Sequence, residues 1–238
     1  MIEEKNFFEH IRSIKDLFFG GNGAVLQSIA DKIFRASGSI KGLNLFRLTE
    51  IINEALPEKT SKYLKTKITV LDSELALQGN FVDLKLASYC SIKSDFPTPL
   101  DILFNPNIMK IVLEIFVFVL KIAKLRKCLS KTWKNLRLTN QQMIPRPISK
   151  LMTAIFATWS AFSNELSEYI FFLTIEGGFR KFTSALKEAV IFNQVFKLLT
   201  EMLTKIYAGC FLSRDYMQLS ERLKILFISA IDFYNIVS

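Results

Sequence analysis

Hydrophobic residues recur at helical spacing over most of the chain. Near the N-terminus, the apolar positions of residues 3–19 fall on one face of an amphipathic helix, at Phe7, Phe8, Ile11, Ile14 and Phe18. The same period predicts further helices at about 24–36, 44–56, 106–136, 148–174, 179–189, 191–209 and 215–235. Glycine and proline punctuate them, at 20–23, at Pro57 and at Gly177-Gly178. The pattern predicts a mostly α-helical, multi-helix bundle that forms one domain over residues 1–238.

The period changes between the third and fourth predicted helices. Residues 67–71 (KITVL) are rich in β-branched side chains, and residues 82–86 (VDLKL) alternate between apolar and polar. Both features are typical of strands. We therefore expect a small β-ribbon inserted at about residues 65–92.

The longest predicted helix is also the most apolar one. Asn105 can cap its start, and Pro106 suits the first helical position. Residues 115–120 carry no charge, but Lys110 and Glu114 precede them and Lys121 follows. A membrane span needs about 20 mostly apolar residues. The sequence therefore predicts a long, buried central helix rather than a membrane span.

Composition adds a basic, Phe-rich character. The chain carries a formal net charge of +9 and contains 22 Phe residues. A positive surface favours an acidic partner, which can be a nucleic acid, an anionic lipid or an acidic protein. The basic residues are dispersed and lack an aromatic–basic RNA-binding signature, so we expect no nucleic-acid partner.

Residues that could carry chemistry are sparse. Cys90, Cys128 and Cys210 are odd in number and far apart, and the N-terminus lacks a signal peptide, so a reducing compartment is expected. His10 is the only histidine and has no Cys or acidic cluster around it to form a zinc site. The glycines at 20–23 lack the Gly-Lys-Ser/Thr of a phosphate loop. The sequence predicts no enzyme activity, no cofactor and no metal.

Four sequence blocks occur in an order that resembles the C-terminal half of the γ-tubulin complex components, also called the spindle pole body component family. The resemblance covers about residues 7–213. The blocks are residues 8–16 with Gly23 and Gln27; residues 99–103 with Phe116, Val119, Leu120, Lys124, Leu129 and Trp133; Phe162, Leu166, Tyr169, Phe172, Ile175 and Glu176; and Phe192, Val195, Leu203, Cys210, Phe211 and Leu212. The chain departs from the family pattern at Ala24, Val112 and residues 177–179.

The resemblance implies a non-enzymatic component of a microtubule-nucleating complex. Its expected partners are γ-tubulin and other γ-tubulin complex components, and its expected location is the cytoplasm, at a microtubule organising centre or spindle pole of the cytoskeleton. The positions expected to contact γ-tubulin are Lys93, Phe96, Pro97, Tyr169, Glu176, Phe179 and Arg180. The alternative is a peripheral basic helical protein that binds anionic membrane surfaces, since basic helices with Phe and Leu faces are typical of that class.

Substitutions at two phenylalanines can distinguish a core position from a surface position. Phe116→Ala should lower the free energy of unfolding by about 3–5 kcal/mol, as expected for a buried aromatic residue. If Phe179 lies on the partner surface, Phe179→Ala should weaken γ-tubulin binding with a smaller loss of stability. Urea unfolding of both variants measures this, and equal losses would contradict the surface position of Phe179.

Overall fold

The computed structural model describes residues 4–36, 50, 53–55, 66–70, 90–94, 96, 100–139, 145–189 and 191–237. These residues are mostly helical, which confirms the mostly α-helical part of the predicted fold class. In chain order the elements are α1 (Glu4–Phe18), α2 (Gly23–Ala36), β1 (Thr66–Val70), β2 (Cys90–Ser94), α3 (Leu100–Leu103), α4 (Pro106–Thr139), α5 (Arg146–Ser167), a π-helix (Glu168–Glu176), α6 (Gly177–Leu186), α7 (Phe192–Gly209), a 3₁₀ turn (Arg214–Tyr216) and α8 (Met217–Val237).

The central helix α4 is the axis of the core. It has 34 residues and is about 51 Å long. The Asn105 side-chain oxygen accepts hydrogen bonds from the backbone N–H groups of Asn107 and Ile108, at 3.1 and 3.0 Å, which confirms the predicted cap. Residues 115–120 are all buried, and α1, α2, α5, α7 and α8 each contact α4. The Phe116 ring packs edge-on against Phe18, as expected for a core residue.

Across the described part of the chain, no helix combines the length and the apolarity that a membrane crossing requires.

The turn between α1 and α2 follows the glycine-rich sequence. Gly20 adopts a φ of 69°, and the N–H of Gly21 donates to the Lys15 carbonyl at 3.1 Å. Asn22 then caps α2 through hydrogen bonds to the N–H groups of Ala24 and Val25. The predicted end of the first helix and start of the second are thus confirmed.

A two-stranded antiparallel sheet pairs β1 with β2, from Thr66 opposite Ser94 to Val70 opposite Cys90. The predicted strand at 67–71 overlaps β1. The other predicted strand, at 82–86, lies outside the described residues, and the partner of β1 is β2 instead. The predicted helix at 44–56 is described only at residues 50 and 53–55, which are helical. That residues 1–238 form one domain stays a prediction.

The predicted helix break at Gly177-Gly178 is wrong. Helical backbone runs from α5 through the π-helix into α6, and Gly177 has helical torsions of φ −59° and ψ −40°. Each glycine costs a helix about 1 kcal/mol relative to alanine. Phe179 and Phe182 are buried just beyond the glycines, and burying such side chains contributes about 1.5–3 kcal/mol each. The free energy gained by burying Phe179 and Phe182 therefore outweighs the tendency of the two glycines to end the helix.

A polar contact joins α7 to α4. The Tyr207 hydroxyl donates to Glu114 Oε2 at 2.5 Å. Burial, together with the hydrogen bond and the negative charge of Glu114, raises the pKa of Tyr207 far above its ordinary value. Since the pKa is raised in the folded state, the corresponding stability is present below the unfolded pKa and is lost as pH rises through the folded pKa.

Tyr207→Phe should therefore lower the free energy of unfolding by about 1–2 kcal/mol at neutral pH, because Glu114 loses a donor. The difference in the free energy of unfolding between the variant and the wild type should become smaller above about pH 10. In that range Tyr207 of the wild type ionises in the unfolded state but not in the folded state, which lowers the stability of the wild type. Urea unfolding between pH 7 and 10.5 measures both effects. Tyr216→Phe is the matched control, since that exposed hydroxyl makes no hydrogen bond with a described residue. A difference in the free energy of unfolding that increases with pH would refute the role of the Tyr207–Glu114 hydrogen bond.

Candidate partner-binding surface

The π-helix changes which residues face the core. Ile170 and Ile175 are buried five positions apart, whereas an α-helix would bring residue 173 or 174 to the core after Ile170. The extra residue per turn leaves Phe172 63% exposed and Leu173 64% exposed. Tyr169, on the same segment, is also exposed. These three side chains, Tyr169, Phe172 and Leu173, form what we call the π-segment patch.

Close backbone packing fixes the π-helix against the end of α7. A Cβ atom at Gly209 would lie 2.5 Å from Thr174 Cγ2, so only glycine permits this approach. Thr174 and the buried Ile175 together hold one side of the segment while the patch faces outward. The patch is therefore presented on a fixed backbone rather than on a loop.

An aromatic cluster follows α7 and supports Tyr169. Phe211 adopts a φ of 59°, a conformation that costs a non-glycine residue about 1–2 kcal/mol. Its ring stacks on Tyr169 at 5.6 Å between centroids and meets Tyr216 edge-on at 6.1 Å. Each aromatic pair contributes about 0.5–1.5 kcal/mol beyond area burial, which is enough to offset the strained torsion.

Three predicted contact residues lie at the junction of the π-helix with α6. Glu176 forms an ion pair with Lys15 of α1, at 2.5 Å between Nζ and Oε2, and Arg180 is exposed. The Lys15 ammonium also lies 5.5 Å from the centre of the Phe179 ring. Asp16, next in sequence, has a raised pKa because it is partly buried, although Arg12 and Lys15 oppose the rise.

The predicted surface position of Phe179 is wrong. Its side chain is 4% exposed and packs edge-on against Phe19 at 5.0 Å. The reason is that α6 turns the face bearing Phe179, Phe182 and Leu186 into the core. Phe179→Ala should therefore lose as much stability as Phe116→Ala, about 3–5 kcal/mol.

Two other predicted contact residues, Lys93 and Phe96, lie in or near the sheet. Phe96 is half-buried between His10 of α1, at 6.4 Å, and Phe104, at 5.1 Å between ring centroids. Lys93 lies in β2, opposite Lys67, and Pro97 lies outside the described residues. The structure thus brings Tyr169, Glu176 and Arg180 onto one continuous helix. Helix α1 links Phe96 to them, because it contacts Phe96 with His10 and Glu176 with Lys15. Contact of any of these residues with γ-tubulin stays a prediction.

Phe172 and Leu173 were missed as surface residues by reasoning from the sequence. Residues 169–175 (YIFFLTI) are almost wholly apolar, so no alternation with polar residues reveals which side chains face outward. The five-residue spacing from Ile170 to Ile175 is the usable signal, and it has meaning only once the π-helix is known.

The buried thiols are unsuited to nucleophilic chemistry. Cys128 and Cys210 are free and buried. Burial raises the pKa of Cys210 to about 12 and also raises the pKa of Cys128, so both thiols are protonated at neutral pH. Within the described ranges, no group of three or more His, Cys, Asp or Glu side chains is arranged to hold a metal ion.

Gly209→Ala tests whether the π-helix is fixed by its approach to α7. The added methyl group would collide with Thr174, so the free energy of unfolding should fall by about 1–3 kcal/mol. Gly23→Ala is the matched control, because a Cβ there meets nothing within 4 Å and should leave stability unchanged or slightly raised. Thermal unfolding compares the two, and equal midpoints would contradict the close packing.

The chain is related to a known protein family over nearly its whole length. Residues 7–238 match the family model described as Gamma tubulin complex component C-terminal. No curated protein matches the sequence significantly. The family consists of structural, cytoskeletal components of the γ-tubulin complex rather than known enzymes. The predicted resemblance is therefore confirmed, and the chain belongs to the gamma tubulin complex component C-terminal family.

Proposed function

We propose that this chain binds γ-tubulin and, together with other γ-tubulin complex components, positions it for microtubule nucleation. The expected location is a cytoplasmic microtubule organising centre or spindle pole. The observation that carries the proposal is the family match over residues 7–238. The π-segment patch supplies a surface on which such binding can occur.

The patch has the physical character of an interface anchor. Phe172 and Leu173 are adjacent, large and almost two-thirds exposed, on a helix whose opposite side is buried. Clustered apolar side chains at a surface mark sites of interaction, and a few aromatic anchors typically dominate the free energy of binding. Because the backbone is already ordered, little conformational entropy is lost when a partner covers it.

Charge favours an acidic partner near the same surface. Arg180 and Lys181 are exposed one to two helical turns beyond the patch, and the whole chain has a net charge of +9. Complementary charge mainly raises the association rate and excludes wrong partners, while the apolar anchors supply affinity. An acidic protein partner fits both features.

The proposed role in nucleation does not require this chain to form or break covalent bonds. An assembly that holds several γ-tubulin molecules in a fixed arrangement removes part of the entropy loss that opposes the first steps of polymerisation. The rigid helical frame around α4 suits this positioning role, because displacement of one helix would disturb a core shared by all of them.

Some expected contacts have weaker support. Glu176 is already paired with Lys15, so its carboxylate would have to leave or share that ion pair to meet a partner. Lys93 in β2 and the nearby Phe96 stay predicted contacts, as does Pro97, which lies outside the described residues. The expectation of no nucleic-acid partner also stays a prediction.

The test is γ-tubulin binding by the double variant Phe172→Ser, Leu173→Ser. We expect affinity to fall at least about tenfold, since loss of interface anchors typically costs 2 kcal/mol or more. The control is Ile225→Ser, Ile236→Ser, which removes two apolar side chains of α8 that are 62% and 79% exposed. Co-purification followed by calorimetry measures binding, and thermal unfolding checks that both variants fold.

Unchanged affinity in the patch variant would refute the patch as the binding surface. Absence of any γ-tubulin binding by the folded wild-type chain would refute the proposed function itself. Pelleting with anionic liposomes then examines the alternative, and charge-dependent lipid binding without γ-tubulin affinity would favour the membrane-surface protein.

A further inference from the structure

A cleft of about 280 Å³ lies between α4 and α5. It is separate from the residues of the π-segment patch. Its lining combines polar and apolar side chains, contributed by both helices: Arg126, Leu129, Ser130, Trp133, Phe156, Ser160, Ser163 and Asn164. The volume is just below that of ordinary small-molecule pockets, so the cleft suits a ligand of a few heavy atoms.

Ser163 is the unusual member of the lining. It is 2% exposed, and its hydroxyl has no hydrogen-bond partner among the described residues. Nearby hydroxyls on the same helix, those of Thr158 and Ser167, instead donate to the carbonyl four residues earlier. A buried hydroxyl without a partner destabilises the fold, and its presence on a cleft wall indicates a missing partner.

The charge of the cleft identifies the kind of partner. Arg126 is the charged residue in the lining, and no acidic side chain accompanies it. It makes no ion pair with a described residue. A guanidinium has five donors and no acceptor, and it matches the geometry of carboxylate and phosphate groups. The serine hydroxyls and the asparagine amide of the lining can donate further hydrogen bonds to the same carboxylate or phosphate group.

The apolar part of the cleft is held in place. The Trp133 ring stacks on Phe156 at 5.1 Å with an interplanar angle of 17°, and the Arg137 guanidinium lies 4.6 Å from the same indole. A wall fixed in this way can contact the carbon body of a ligand whose anionic group reaches Arg126.

We propose that this cleft binds a small organic oxyanion, a phosphate or carboxylate group carried on an apolar body. Arg126 pairs with the anion, the Ser163 hydroxyl donates its unused hydrogen bond, and Leu129, Trp133 and Phe156 contact the body.

Isothermal calorimetry with four probes tests the proposal: phenyl phosphate, benzoate, inorganic phosphate and benzyl alcohol. We expect saturable 1:1 binding of phenyl phosphate or benzoate, and the tighter of the two identifies the anionic group. Inorganic phosphate should bind more weakly because it lacks the apolar body, and uncharged benzyl alcohol should not bind.

Arg126→Gln should weaken binding of the better probe at least about tenfold, as expected when a charge-assisted hydrogen bond is lost. Arg222→Gln, an exposed arginine on α8 outside the cleft, should bind like the wild type. Ser163→Ala should weaken binding about three- to tenfold without lowering the unfolding midpoint, because it removes an unpaired buried hydroxyl.

The absence of saturable heat for both organic anions would overturn the proposal. So would equal affinities of Arg126→Gln and the wild type, or equal binding of benzyl alcohol and the anions. Arg126 is exposed and its replacement should leave the fold intact, so this variant decides the matter even if Ser163→Ala unfolds.

Discussion

The rest of the structure depends on the burial of the middle of α4, residues 115–120, where every side chain is enclosed. A helix that is apolar around its whole circumference cannot face water, so other helices must cover it. Here α1, α2, α5, α7 and α8 all contact α4, and residues 115–120 are all buried. The run that looks most like a membrane segment is thus enclosed by other parts of the protein.

Enclosing α4 limits what the covering helices can expose. The continuous helix from α5 to α6 uses Leu166, Ile170, Ile175 and Phe179 as successive core positions, and its spacing lengthens to five only within the π-helix. That one irregular step keeps both flanking helices in register with the core while it turns Phe172 and Leu173 outward. A regular helix would bring Leu173 or Thr174 to the core after Ile170, so the outward position of this segment depends on the backbone irregularity.

The predictability of each element from the sequence follows the strength of its local signal. The start of α4 was predictable because Asn105 and Pro106 act within one helical turn, and the turn at Gly20 was predictable because few residues adopt its φ. The continuity through Gly177 was not, because it depends on burial of Phe179 and Phe182 by elements distant in sequence. The surface reading of Phe179 failed for the same reason. The donor set of the α4–α5 cleft was equally hidden, since Arg126 and Ser163 are 37 positions apart and meet only through helix packing.

The same frame separates stability from recognition in this molecule. Lys15 contacts both a partly exposed residue and the core. It forms an ion pair with the partly exposed Glu176, and its ammonium lies over the buried Phe179 ring. An ion pair in such a half-exposed position contributes little to stability, about 0–1 kcal/mol, because water screens both charges. Its larger effect is to orient the end of the π-helix relative to α1, since both partners have fixed backbones. Phe172 and Leu173, about one turn before Glu176, and Arg180, one turn after it, are exposed and are not part of the core. They can therefore vary with the partner while α4 and its cover stay unchanged.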